Sequence, residues 1–178
     1  MTRREVIAAV FATLLSSLVL HGAVPGPKAG FRFFKWGDPP APEMKSMGLK
    51  KGGMDAYFIS DDDMQIAGRK ATLLTYYFFR KRLCRVEATF SLDPPQFTTQ
   101  TGSMLEFARM GAMLEREWGA PDEVDNNDAH IWLSSDGKTE AVLLTITLTI
   151  HVPFDGFLIG LDIEERECAR LARSGAGV

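Results

Sequence analysis

Hydrophobic residues dominate two segments of the chain, residues 72–79 and 83–90, on either side of the basic turn at 80–82. Both segments are rich in β-branched and aromatic residues, so together they predict a β-hairpin. A two-residue turn and a three-residue turn would give this hairpin different registers, and the sequence leaves both open.

Similar patterns predict further strands before and after this hairpin. An aromatic segment at residues 31–36 predicts a short strand or an extended segment that lays rings on the core. The other predicted strands are residues 55–59, 64–67, 131–133, 140–152 and 157–163. In the longest of them, Val142 and Leu144 alternate with Leu143 and Thr145. This alternation predicts that the side carrying Val142 is buried and that the threonine side faces solvent.

Two segments have the spacing of helices. Ser103 and Glu106 fit a capping box, and Gly119 followed by Pro121 fits a helix end, so a long helix is predicted from 103 to 118. Its apolar stripe comprises Met104, Phe107, Ala108, Gly111, Leu114 and Trp118. A short, highly charged helix is predicted over residues 164–173, with Cys168, Leu171 and Ala172 on one side.

These elements predict an α+β fold, in which one antiparallel sheet carries the long helix and the short C-terminal helix as a layer on one face. The strands and helices do not alternate as in a doubly wound nucleotide-binding fold. We expect residues 31–173 to form a single α+β domain and residues 174–178 to form a flexible tail.

The N-terminus has the composition of an export segment. Arg3 and Arg4 precede an apolar run at residues 6–20, which predicts an export signal over residues 1–23, with a retained membrane anchor as the alternative. Residues 24–30 are rich in Pro, Gly and Ala and predict a linker. The expected location is therefore the periplasm, with membrane contact only through residues 6–24 if the signal is retained.

The expected periplasmic location favours a disulfide between the two cysteines, because paired cysteines form disulfides in oxidising compartments. Cys84 lies in a predicted strand with Val86, Ala88 and Phe90 on the same face, and Cys168 lies on the apolar side of the last helix. We predict a Cys84–Cys168 disulfide, with two separately buried thiols as the alternative.

Charge and composition exclude several partners. The 178 residues carry 20 basic and 23 acidic side chains, for a net charge of −3, and 46% are hydrophobic. Because no basic stripe stands out, nucleic acid is not an expected partner. No sequence motif for a nucleotide, metal or other cofactor occurs, so no cofactor is predicted.

The candidate chemistry is sparse. His130 with Ser134 and Asp128 could form a hydrolytic triad only if neighbouring residues of a strand converged, and alternation of faces argues against this. His151 is the other histidine of the expected domain. Acidic clusters at Asp61–Asp63 and at Asp122, Glu123, Asp125 and Asp128 are interpreted as solvated turns and loops, not cation sites. No catalytic, cofactor-binding or metal-binding residue is therefore assigned.

A spaced pattern of packing and turn residues resembles a known group. Its members are Phe31, Lys35, Trp36, Gly37, Pro42, Met44, Tyr76, Phe78, Leu83, Val86, Phe90, Trp118, Gly119 and Pro121. The pattern resembles small exported bacterial proteins of unknown function and is more distantly similar to BamE/SmpA-type envelope modules. That resemblance implies an envelope protein that binds partners, although the lipoprotein cysteine of the BamE/SmpA type is absent.

Three function classes follow. The first is a noncatalytic periplasmic protein that binds another envelope protein, which a flat apolar patch or an open sheet edge would support. The second is a carrier or sensor of a small apolar ligand, which a Trp- and Phe-lined pocket with a polar mouth would support. The third is a hydrolase, which would need a convergent histidine–carboxylate site.

Overall fold

The computed structural model describes residues 30–60, 64–91, 100–125, 129–149 and 155–175. Within these ranges the chain is mainly antiparallel β-sheet with two helices, so the α+β prediction holds only in its coarse form. The strands are β1 (Gly30–Phe31), β2 (Phe34–Lys35), β3 (Met44–Lys51), β4 (Met54–Ile59), β5 (Gln65–Ile66), β6 (Arg69–Lys70), β7 (Leu73–Phe79), β8 (Arg82–Ser91), β9 (Glu123–Asp125), β10 (Ala129–Leu133), β11 (Thr139–Thr149) and β12 (Asp155–Glu165). The helices are α1 (Gln100–Trp118) and α2 (Arg166–Gly175).

Eight strands form the main sheet in the order β3-β4-β7-β8-β12-β11-β10-β9. All described neighbours in it are antiparallel. The last strand, β12, lies at the centre between β8 and β11, so the two halves of the chain join along it. Two short hairpins, β1–β2 and β5–β6, lie outside this sheet.

The β7–β8 hairpin closes with a two-residue turn, which decides the register that the sequence left open. Arg80 and Lys81 both have positive φ, at 50° and 63°, as a tight hairpin turn requires. Phe79 pairs with Arg82, and the register then shifts between Tyr77 and Phe78. This β-bulge inserts one extra residue into β8 and re-aims the side chains on either side of it.

Cys84 changes faces because of this bulge. Leu83 packs in the same cluster as Val86, whereas Cys84 packs with Tyr77 and Ala56 in a separate cluster. The expectation that Cys84 shares a face with Val86, Ala88 and Phe90 is therefore wrong. We call the side of the sheet that carries Val86 the first face, and the side that carries Tyr77 and Cys84 the second face.

The main core lies on the first face, under α1. Phe107, Met110 and Leu114 of α1 are buried against sheet residues that include Tyr76 and Leu161. Phe31 and Phe34 also pack on Tyr76, which confirms that this aromatic segment lays rings on the core. The segment itself is the β1–β2 hairpin, not a single strand.

The long helix is confirmed, but its start and its apolar stripe differ from the prediction. It begins at Gln100, so Ser103 lies inside it and Glu106 instead forms an ion pair with Arg69 at 2.9 Å. Met104 is 48% exposed, while Met110, absent from the predicted stripe, is 2% exposed. Its end is as predicted, because Gly119 has a φ of 88° and its N–H donates to the Glu115 carbonyl at 2.8 Å.

Helix α2 packs on the second face, so the two helices do not form one layer. Its buried residues are Cys168, Ala169 and Ala172, and Leu171 is 44% exposed instead of buried. The helix begins two residues later than predicted, because Glu164 and Glu165 still belong to β12.

The C-terminal tail begins later than expected. Ser174 and Gly175 complete α2, so they do not belong to a flexible tail. Residues 176–178 lie outside the described residues.

The longest strand also has its faces reversed relative to the prediction. Ala141 and Leu143 of β11 are fully buried on the first face, while Val142 and Leu144 are partly exposed on the second. The threonine-bearing side is thus the buried one over residues 139–144. Alternation predicts two faces but cannot decide between them when both contain apolar residues.

The predicted export signal, residues 1–23, and most of the linker at 24–30 lie outside the described residues. Among the helices that the structure describes, none has the length and apolar character needed to cross a membrane.

Candidate functional site

A disulfide joins Cys84 of the β8 bulge to Cys168 of α2, as predicted, with their Cα atoms 5.4 Å apart. This separation lies within the range that disulfides need. The N–H of Cys168 also donates to the Glu165 carboxylate at 2.6 Å, which caps the start of α2. The bond therefore fixes a short helix, which buries mostly small side chains, against the second face.

A groove of about 420 Å³ lies on the second face. It shares Met47, Ala56 and Tyr77 with the cluster into which α2 packs. It is lined by small or apolar side chains from four neighbouring strands: Met47, Leu49, Ala56, Leu73, Thr75 and Thr89. Small side chains at positions 56, 75 and 89 leave the depression, because no large side chain fills the sheet surface there. Leu49 and Leu73 are 60% and 42% exposed at its sides.

One end of the groove is polar. The Tyr77 hydroxyl donates to the Glu87 carboxylate at 2.6 Å, and the Lys51 ammonium donates to both oxygens of the same carboxylate at 2.8 and 3.1 Å. Burial and the hydrogen bond to Glu87 raise the pKa of Tyr77, so its phenol stays protonated and remains a donor.

Glu87 is the centre of this polar end. Burial raises its pKa, but hydrogen bonds from Lys51 and Tyr77 outweigh burial and hold the pKa below its ordinary value. Glu87 is therefore a carboxylate whose charge is already matched, and it is not suited to act as a general base.

A second ion pair lies beside this polar end. Arg85 donates to Asp162 at 2.6 Å, and its guanidinium lies 5.5 Å from the centre of the Tyr77 ring. Among the described residues, Arg85 Nε and Asp162 Oδ1 are buried without a hydrogen-bond partner. Burial raises the pKa of Asp162 to about 6.

A smaller cavity, about 180 Å³, lies at the first-face edge of the sheet beside the β1–β2 hairpin. Phe31, Trp118 and Ile163 provide its apolar walls, and Glu117 lies at its rim. Its volume is below the range of about 300–1,000 Å³ that is usual for small-molecule sites. It is therefore the weaker candidate.

His130 belongs to the core packing under α1. Its ring meets Phe107 and Trp132 edge-on, with ring centres 4.9 and 5.8 Å apart. Gly111 allows this close approach, because a Cβ there would lie 3.0 Å from His130 Nδ1. These aromatic contacts explain His130 as a packing residue.

Ser134 has a structural partner in a tight turn. Its hydroxyl donates to Asp136 at 2.6 Å and accepts from the N–H of Thr139 at 2.9 Å. That hydrogen bond from Ser134 lowers the pKa of Asp136. Asp128, the third residue of the imagined triad, lies outside the described residues, so these residues do not assemble the triad. His151 also lies outside them.

The acidic clusters are placed only in part. Asp61–Asp63 lie outside the described residues. In the second cluster, Asp122 accepts from the N–H of Leu133 at 2.7 Å, and Glu123 and Asp125 are exposed in β9. Over the described ranges, no three His, Cys, Asp or Glu side chains lie close enough to hold a metal ion together.

Comparison with models of protein families, with curated proteins and with solved structures finds no match to this chain. The candidate site therefore has to be judged from its own geometry.

Sequence reasoning missed the groove, because β3 was not predicted as a strand and the bulge that turns Cys84 was not visible. The signal that could have pointed to it is the placement of Ala56, Thr75 and Thr89 in otherwise bulky strands.

Proposed function

We propose that this chain is an exported, noncatalytic binding protein of the bacterial cell envelope, and that the second-face groove is its binding site. The groove is the observation that carries the proposal. Its volume of about 420 Å³ falls in the range of small-molecule sites, and its walls are apolar with a few polar groups at one end.

The disulfide supports the exported location. Cys84 and Cys168 are bonded, and such bonds persist mainly outside the reducing cytosol. The apolar run at residues 6–20 after Arg3 and Arg4 supports the same location as an export signal or retained anchor.

A small apolar ligand is the occupant that the groove favours. Leu49, Leu73 and Met47 offer aliphatic contact, and the Tyr77–Glu87 pair closes one end. The lining contains neither Trp nor Phe, so the ligand would contact aliphatic side chains, small β-sheet residues and the ring of Tyr77.

A partner protein is the second candidate, favoured by the partly exposed Val142 and Leu144 on the same face and by the resemblance to BamE/SmpA-type modules. The sheet edges give it less support. Strand β3 carries Lys45, Lys50 and Lys51, and β9 has only three residues, all exposed. Lysines and short strands are common features that prevent edge-to-edge pairing.

Binding of the apolar dye Nile red to the purified, disulfide-bonded protein tests the proposal. We expect saturable fluorescence enhancement that Leu73→Lys weakens by about tenfold or more, because a lysine in the groove must lose hydration when the dye binds. Leu105→Lys is the matched control, since Leu105 is a 59% exposed leucine on α1. Absence of saturable binding, or equal loss in both variants, would contradict the proposal.

A further inference from the structure

The polar end of the groove limits which ligand charge can bind there. Each cation at this end has an acidic partner among the described residues. On the second face the pairs are Lys51–Glu87 and Arg85–Asp162, at 2.8 and 2.6 Å. Lys50 pairs at 3.2 Å with Asp55, which is partly exposed and lies outside the groove lining. An anionic or cationic headgroup would therefore meet one opposite and one like charge in each pair and gain little net attraction.

Because the charges at this end are matched, they do not repay the loss of hydration of a charged ligand. A charged headgroup loses hydration when it enters a groove whose walls are apolar, and that cost is recovered only by an unmatched opposite charge. Glu87 is only 20% exposed and already accepts hydrogen bonds from Lys51 and Tyr77. Neither sign of ligand charge has such a partner here.

The same end is suited to an uncharged polar group. The Lys51 ammonium has three N–H donors and is 50% exposed, so it can donate to a ligand oxygen while it keeps its contact with Glu87. The Tyr77 hydroxyl donates to Glu87 and still has lone pairs that accept a hydrogen bond. A ligand hydroxyl can therefore find both a donor and an acceptor.

The shape of the groove indicates an elongated ligand. Leu73, Thr75 and Tyr77 point to the same face at every second position of β7, so the groove follows this strand. The distance from Leu73 to Tyr77 along the strand is about 13 Å at about 3.3 Å per residue. Leu73 pairs with Thr89 at one end of this length, Thr75 pairs with Glu87 in its middle, and Tyr77 pairs with Ala56 at the other end. Apolar and hydrogen-bonding side chains therefore lie side by side along the groove.

We infer that the groove takes an elongated, uncharged amphiphile: an aliphatic chain that carries a hydroxyl or similar neutral hydrogen-bonding group. This inference rests on the proposed binding function and adds the ligand class. It assigns Lys51 and Glu87 a shared role, which is to present donors and acceptors while cancelling each other's charge.

Displacement of Nile red by three ten-carbon amphiphiles tests the inference. The probes are decanol, decanoate and decyltrimethylammonium, each used below its micelle-forming concentration. Because neutral chains partition better than ions in general, the decisive readout is how charge variants change the preference.

We expect Glu87→Gln to strengthen decanoate binding by about three- to tenfold, because Lys51 then lacks its matching charge. By the same reasoning, Lys51→Gln should strengthen decyltrimethylammonium binding by a similar factor. Decanol binding should not become stronger in either variant, since decanol carries no charge that the unmatched group could attract. Lys45→Gln is the control, because Lys45 is also on β3 but bonds Ser60 outside the groove lining.

The outcomes separate the two proposals. If Nile red binds at Leu73 but neither variant changes the charge preference, the ligand class is wrong and the binding function stands. If decanoate already binds the unmodified protein more tightly than decanol, the ligand is an anion and the inference is overturned. If no amphiphile displaces the dye and Leu73→Lys has no effect, both proposals fail.

Discussion

Asp162 lies largely buried against Arg85 on the second face, with 20% of its side chain exposed. Burial raises its pKa to about 6, although the Arg85 guanidinium opposes the shift. An aspartate in an unfolded chain titrates near pH 4, so the folded protein binds this proton more tightly. The contribution of Asp162 to stability is therefore complete below about pH 4 and is lost as pH rises through about 6.

Replacement of Asp162 by Asn should reveal this dependence. We expect the free energy of unfolding of the unmodified protein, relative to Asp162→Asn, to fall by about 2–3 kcal/mol between pH 4 and pH 7. Urea denaturation at a series of pH values measures it. Asp136→Asn is a control of opposite sign, because the hydrogen bond from Ser134 lowers the pKa of Asp136. A difference that stays constant or grows with pH would refute this role for Asp162.

Side-chain direction shows where residue-level prediction succeeds and fails. The pairing of Cys84 with Cys168 was predictable from the expected export, the cysteine count and the apolar surroundings of both residues. The face of Cys84 was not, because a single extra residue in β8 reverses the alternation before it. A bulge leaves no clear mark in a sequence whose two faces are both apolar.

Helix α1 is the element that closes the first face, and Leu114 is its central contact. Leu114 is fully buried, whereas Leu105 on the same helix is 59% exposed. Truncation of Leu114 should therefore lower the free energy of unfolding much more than truncation of Leu105 does. A cavity in the core costs far more than the loss of a surface contact.

Leu114→Ala should lower the free energy of unfolding by about 2–5 kcal/mol. Leu105→Ala, the matched control, should change it by less than about 0.5 kcal/mol. Guanidinium denaturation followed by tryptophan fluorescence measures both. Similar small losses in the two variants would mean that α1 does not rest on the sheet through Leu114.

Elements with a strong local sequence pattern were predictable. Elements that depend on contacts between residues far apart in the sequence were not. The β7–β8 hairpin and the end of α1 follow from β-branched runs and from Gly119. Strand β3 escaped prediction because most of its residues are exposed at a sheet edge. The capping box failed because Glu106 pairs with Arg69, a partner far away in the sequence.

At the scale of the whole molecule, the central position of β12 and the disulfide link distant parts of the chain. The bond spans 84 positions in sequence, and closing so long a loop contributes about 4–5 kcal/mol in the chain-entropy model. Helix α2 also uses Arg173, which forms two hydrogen bonds to Glu164 at 3.0 and 3.1 Å. These links hold α2 against the second face.

The groove could not be predicted, because it depends on strands that are distant in sequence. Thr75 and Thr89 lie on neighbouring strands of one hairpin, but Ala56 comes from β4 and Leu49 from an unpredicted strand. His130 and Ser134, two of the three residues that a hydrolytic triad would need, have separate structural partners. Composition thus limited the function classes, and only the sheet order brought the lining residues of the groove together.

The proposed function places the chain in an oxidising compartment, where Cys84 is bonded to Cys168. Trapping free thiols with a polyethylene-glycol maleimide in intact cells, with and without prior reduction, tests this most directly. We predict no mass shift of the chain in unreduced envelope fractions and a shift by two adducts after reduction, since the chain has two cysteines. Two adducts without reduction would contradict both the disulfide and the exported location.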